Sequence, residues 1–139
     1  MTTIDVGFNH IKNVFHIADL HIRNVRRHKE YRQVFDKFFA ELDERSDDLQ
    51  DSIIYIAGDI AHAKTEMSPE LFTMMIEFFT KCTDRCHTFV IPGNHDFNQN
   101  NRSRLDAISP VTLALKDPRL HYLSKSGVYR VADVNLIHY

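Results

Sequence analysis

With 139 residues, 43% of them hydrophobic, the chain has the size of one domain and enough apolar content to bury a core. A formal net charge of −2, from 17 Lys and Arg against 19 Asp and Glu, excludes a globally basic nucleic-acid binder and leaves room only for a local basic patch. Cys82 and Cys86 are too few for a cysteine-rich zinc site or a disulfide framework, and they read as reduced, partly buried thiols. The N-terminus lacks a basic start followed by an apolar core, and no apolar run is long enough to span a bilayer. The expectation is a soluble intracellular protein of cytoplasm or nucleus, neither secreted nor bound to a membrane.

A polar lead-in precedes Val14-Phe15-His16-Ile17-Ala18, which reads as a short buried strand leaving at Asp19 and His21. His16 is expected to be a satisfied core histidine. The most basic run of the chain, Ile22 to Lys29, then leads into a helix starting near His28. There Tyr31, Val34, Phe35, Phe38, Phe39 and Leu42 recur at helical spacing. An acidic, polar stretch from Asp43 to Asp51 separates this helix from Ser52 to Ala57, the clearest buried strand, which ends at Gly58 and Asp59. Ser68-Pro69 opens a second helix with an N-cap serine and a proline at the first helical position, and Leu71, Met74, Met75, Phe78 and Phe79 form its apolar stripe.

Phe89-Val90-Ile91 breaks at Pro92-Gly93 and presents Asn94, His95 and Asp96. Beyond it the pattern predicts a polar loop over Phe97 to Arg104 and a helix over Leu105 to Leu115 broken at Pro110. Three short strands follow at Leu120 to Leu123, Val128 to Val131 and Val134 to Tyr139. Strand, helix, strand, helix, strand is the βαβαβ pattern of an α/β protein, with parallel strands and right-handed crossovers. Its polar strand exits emerge along one edge of the sheet, where such folds bind ligands.

Asp19, His21, Asp59 and Asn94 offer two carboxylates, an imidazole and an amide oxygen, a mixed oxygen and nitrogen set suited to manganese, iron or zinc. A carboxylate on the central exit, Asp59, is placed to bridge two ions, the arrangement of two-metal phosphatases and nucleases. The corresponding reaction is phosphoester hydrolysis, with His95 placed to protonate the leaving oxygen or stabilise the transition state and Asp96 to orient the His95 ring.

His16-Ile17-Ala18-Asp19-Leu20-His21, Gly58-Asp59 and Gly93-Asn94-His95-Asp96 resemble the first three motifs of the calcineurin-like metallophosphoesterase family. Within it, the chain is most similar to the SbcD-type DNA repair nucleases, through the leading His16, the helix near His28 and Gly58-Asp59-Ile60-Ala61-His62. The resemblance implies the N-terminal portion of an αββα sandwich, with a mostly parallel sheet and flanking helices, over a domain spanning 1–139. It implies two divalent ions, manganese foremost. Asp19 and His21 would hold one, Asp59 would bridge, Asn94 would hold the second, and His95 and His62 would lie at the scissile phosphate. It further implies DNA as substrate, an SbcC-like ATPase partner and a homodimer, with Arg23, Arg26, Arg27 and Lys29, and Arg102 and Arg104 beyond the third motif, available for phosphate-backbone contacts. Two departures stand out. The family's downstream Gly-His and Gly-His-x-His motifs do not occur, and Ile22 occupies a position where glycine is usual. The apolar run Val134 to Tyr139, with no cap or polar tail, fits a chain truncated at its C-terminus.

Overall fold

A computed structural model of the chain describes residues 1–63, 66–96 and 105–139. The expected polar loop from Phe97 to Arg104, with Arg102 and Arg104, lies outside these residues. In chain order the elements are β1 (Thr2–Ile4), β2 (Val14–Ile17), α1 (His28–Glu44), α2 (Ser46–Leu49), β3 (Ile53–Ala57), α3 (Pro69–Thr83), β4 (His87–Ile91), α4 (Ser109–Leu115), β5 (Leu120–Tyr122), β6 (Gly127–Val131) and β7 (Val134–His138). They build an α/β architecture around a four-stranded, all-parallel sheet of order β2-β3-β4-β5.

The central strands are mostly apolar because both faces are covered. In β3, Ile54 and Ile56 face a core shared with the helices, while Ile53 and Tyr55 face a second core beneath the other sheet. In β4, Val90 joins the first core, and Phe89 and Ile91 the second. The two-residue period of a pleated strand divides one apolar run between two layers. The helical layer is closed by aromatic contacts: Phe35 and Phe39 of α1 lie 4.5 and 5.6 Å from the ring of Phe78 on α3. Ser68 caps α3, its hydroxyl accepting from the Leu71 N–H at 3.1 Å, as its place before Pro69 predicts. Cys82 and Cys86 are free and fully buried, more enclosed than expected, and burial pushes both thiols up.

Four local expectations need correction. The polar lead-in contains β1, which pairs in parallel with β6 and completes a second sheet of order β1-β6-β7. Three residues carry too little pattern to announce a strand whose partner lies in the C-terminal part of the chain. Pro110 does not break a helix but sits in the first turn of α4, where no backbone N–H is required; the Asp106 carboxylate accepts from the Ile108 and Ser109 N–H groups there at 2.9 and 2.7 Å. Val34 is 61% exposed rather than part of the core. His16 is exposed too, since β2 is an edge strand and only its Phe15 and Ile17 side chains pack on the helices.

Of the histidines not assigned to the strand exits, His87 and His121 meet across β4 and β5, with Nδ1 of one 3.0 Å from Nε2 of the other. The His121 ring lies on Phe89 at 4.6 Å. Burial, reinforced by the neighbouring His87, pushes His121 down to about 4, and burial likewise lowers His87, helped by Arg119. Unfolded, both histidines titrate near the ordinary 6.5. Their contribution to stability is therefore complete above pH ~6.5 and is lost as pH falls toward about 4. After discounting for partial exposure, we expect about 1–2 kcal/mol to disappear over that window. Thermal melts between pH 4.5 and 7.5 check this: His121→Phe should flatten the acid limb, and parallel curves for the two proteins would count against it.

No helix among the described residues is long and apolar enough to cross a membrane.

Candidate metal centre

The parallel order of β2, β3 and β4 sends their C-terminal ends to one edge, and the segments that follow are stitched together by backbone. The His21 N–H donates to the Asp59 carbonyl and the Ile22 N–H to the Ile60 carbonyl, both at 2.8 Å, and the His62 N–H returns to the Ile22 carbonyl at 2.9 Å. Ile22, fully buried, forms a parallel bridge with Ala61. An apolar side chain thus fits the position where glycine is usual, because it fills the space beneath these two loops.

The loop after β4 is joined to the loop after β3 by glycine contact. A Cβ on Gly93 would stand 2.2 Å from the Asp59 nitrogen, and one on Gly58 would stand 2.5 Å from the Gly93 nitrogen. Gly58 also has φ of +75°, a conformation glycine adopts freely. The neighbours have no such freedom. Asp19, His21 and Asp59 hold φ values of 58°, 47° and 53°, each in the left-handed region. Such backbones cost on the order of 1–3 kcal/mol each and concentrate at functional sites.

These strained residues converge. His21, Asp59 and His95 each offer a ligand atom, all within 4.8 Å of one another. His21 Nε2 lies 3.8 Å from Asp19 Oδ1 and 4.0 Å from Asp59 Oδ2. The Asn94 amide lies 3.0 Å from both carboxylate oxygens of Asp59 and, with its NH2 turned toward them, donates to both. Its oxygen then faces away from Asp59, free to act as a ligand for a hard divalent ion. His21 Nδ1 is buried without a partner. The donor set therefore fits a divalent metal.

Around this set the histidines are ordered. His95 Nδ1 is 3.2 Å from the His62 carbonyl, and the His95 N–H donates to Asp59 Oδ1 at 2.9 Å. The His95 ring stands edge-on to His21 at 4.7 Å and parallel to His62 at 6.1 Å. The structure thus gathers Asp19, His21, Asp59, His62, Asn94 and His95 at one place.

Asp96 is placed differently from expectation. Rather than orienting the His95 ring, its fully buried carboxylate accepts from the Ala61, Ile60 and Gly93 N–H groups at 2.8, 2.9 and 2.9 Å. Burial pushes this carboxyl up, and the three backbone donors oppose that rise. Asp96 holds the β3 and β4 loops in register. Tyr31 was legible only as part of an apolar stripe, yet its hydroxyl donates to the His21 carbonyl at 2.6 Å and so braces a strained ligand loop. A helical pattern cannot reveal a bond made by the polar tip of an otherwise apolar side chain. Arg23, Arg26 and Arg27 are exposed on the loop and helix start that follow His21.

Carboxylate, imidazole and amide donors on the C-terminal edge of a parallel sheet define a metal-dependent hydrolase architecture. The chain belongs to the calcineurin-like phosphoesterase family, which matches residues 12–136. It is a family of phosphoester hydrolases that use divalent ions. The chain is also 44% identical over 125 residues to an uncharacterized protein of Acanthamoeba polyphaga mimivirus; that match covers 89% of this chain and 9% of the viral protein. The chain therefore spans only a small part of the length of this relative.

Proposed function

We propose that the protein is a phosphodiesterase acting on DNA, similar to the SbcD-type nucleases, with manganese as its preferred ion. The observation that carries the hydrolytic reading is the meeting of His21, Asp59 and His95, with the Asn94 amide beside them, at one point of the sheet edge. Asp19 and His21 would hold one ion and Asn94 the second, with Asp59 shared between them. Bound there, the ions would supply an activated water and neutralise charge on the phosphoryl group. The chain's own groups do the rest. With its Nδ1 on the His62 carbonyl, His95 presents Nε2 as the atom that passes a proton to the departing oxygen. His62 lies beside it, close enough to contact the same phosphate.

Support for a nucleic-acid substrate comes from the exposed Arg23, Arg26, Arg27 and Lys29 beside the site, on a chain whose net charge of −2 makes such a patch local. An SbcC-like ATPase partner and a homodimer belong to the same reading and rest on the motif resemblance. The test is manganese-dependent hydrolysis of a labelled DNA duplex beside a generic aryl phosphate. Cleavage of the duplex is expected; turnover of the aryl ester alone would leave a phosphomonoesterase or small-molecule phosphodiesterase in its place.

A second reading draws on the donor count. Among the described residues the candidate ligand group comprises His21, Asp59 and His95, and the two downstream histidine motifs are absent from the sequence. On that reading this chain is a non-catalytic portion of the fold that cannot complete a two-metal centre. Calorimetric titration with manganese decides between them, since two tight sites on the chain are incompatible with the second.

A further inference from the structure

Beside Asp19 the surface opens into a groove of about 280 Å³ that the hydrolytic reading does not use. One wall is Leu20 and the other the first turns of α1, with Tyr31, Val34 and Phe35 facing the space. Three observations give the groove a chemistry. First, it is continuous with the candidate metal centre: Asp19 lines it and also lies 3.8 Å from His21 Nε2. Second, its floor is aromatic and fixed, because the Tyr31 hydroxyl is held by the His21 carbonyl and the Tyr31 and Phe35 rings lie 6.0 Å apart. Third, its rim is nearly neutral, with Arg27 and Glu30 at 3.9 Å from one another. Val34, 61% exposed where the aromatic residues and Leu42 of the same helix pack inward, belongs to this space.

We infer that the groove seats the nucleoside portion of the phosphoester substrate, with the base against Tyr31 and Val34 and the phosphate at the strand exits. An aromatic floor takes the face of any base, so the site is tolerant of sequence. Arg27 adds a cation beside the base, and its neighbour Glu30 offers a carboxylate to a sugar hydroxyl. A bare phosphate reaches only the strand exits, whereas a nucleotide reaches both. The inference rests on the phosphoesterase reading of the adjoining centre.

The experiment compares binding of thymidine 5′-monophosphate, thymidine and inorganic phosphate by NMR titration with magnesium present, using the chain and its Val34→Asp variant. Val34 is on the surface, so the substitution tests the groove and not the core. The nucleotide should bind about tenfold more tightly than phosphate and shift the Tyr31 and Val34 signals, and Val34→Asp should remove most of that advantage. Equal affinities, no binding of either ligand, or shifts confined to other surfaces would overturn the inference, the outcome expected if the groove instead receives a partner protein. Failure of the parent reading looks different: no metal-dependent hydrolysis of any phosphoester, with thymidine still shifting Tyr31 and Val34.

Discussion

On the proposed two-metal reading, replacing Asp59 by Asn is expected to abolish metal-dependent hydrolysis, by at least about 10³-fold, while leaving the metal-free protein about as stable as before. The two halves of this expectation have different causes. An amide retains an oxygen for the His95 N–H, now 2.9 Å from Asp59 Oδ1, so the loop keeps its local bond. The Asn94 amide, 3.0 Å from both Asp59 oxygens, can still donate to the oxygen that the variant keeps. On the proposed two-metal reading the Asp59 charge would help to hold the ions, and a neutral amide would not supply it. A threefold decade in rate corresponds to about 4 kcal/mol of transition-state stabilisation, a magnitude that a metal centre can provide and a lost hydrogen bond cannot.

The same variant has a readout independent of turnover. An ion at a hundredfold excess over its dissociation constant stabilises the folded state by about 2.7 kcal/mol, on the order of 10 °C in Tm for a domain of this size. Manganese should raise the Tm of the parent protein by such an amount and that of Asp59→Asn by little. An undiminished rise in the variant would remove Asp59 from the ligand set.

The strand exits were legible because each is an abrupt change of character. An apolar run of β type stops at glycine or aspartate, and polar side chains that no core would accept follow at once, as at Ala57-Gly58-Asp59 and Pro92-Gly93-Asn94. Parallel topology then follows from the helices between them, and topology alone brings the exits to one edge. What local pattern could not supply is anything decided by distant pairing or by burial. β1 is a strand only because β6 is there to pair with it. His16 and Val34 sit in apolar runs yet are exposed, one on an edge strand and the other on a groove wall. Asp96 looked like a partner for the adjacent His95 because sequence neighbours invite that assumption, whereas its hydrogen bonds run to residues 35 and 36 positions earlier.

That last placement sets the second large effect. Asp96→Ala should destabilise the fold by about 3 kcal/mol and loosen the metal site with it. Removing the carboxylate strands the Ile60, Ala61 and Gly93 N–H groups in a fully buried position, and each unpaired donor costs about 1–3 kcal/mol. Two effects reduce the sum. Burial disfavours the charged carboxyl, so removing it recovers part of that cost, and the space left behind is polar enough to admit a water. The net loss is still a large fraction of the ~5–15 kcal/mol that holds a domain folded. Asp96→Asn separates hydrogen bonding from charge: its oxygen can serve the Ile60 and Ala61 amides, but its NH2 then confronts the Gly93 N–H, a donor against a donor. Urea unfolding should therefore rank the proteins with Asn between the parent and Ala, and manganese affinity should fall in the same order as the Gly93 loop drifts from Asp59. A cost below about 1 kcal/mol for Asp96→Ala would mean that solvent already serves these amides and that Asp96 does not hold the loops.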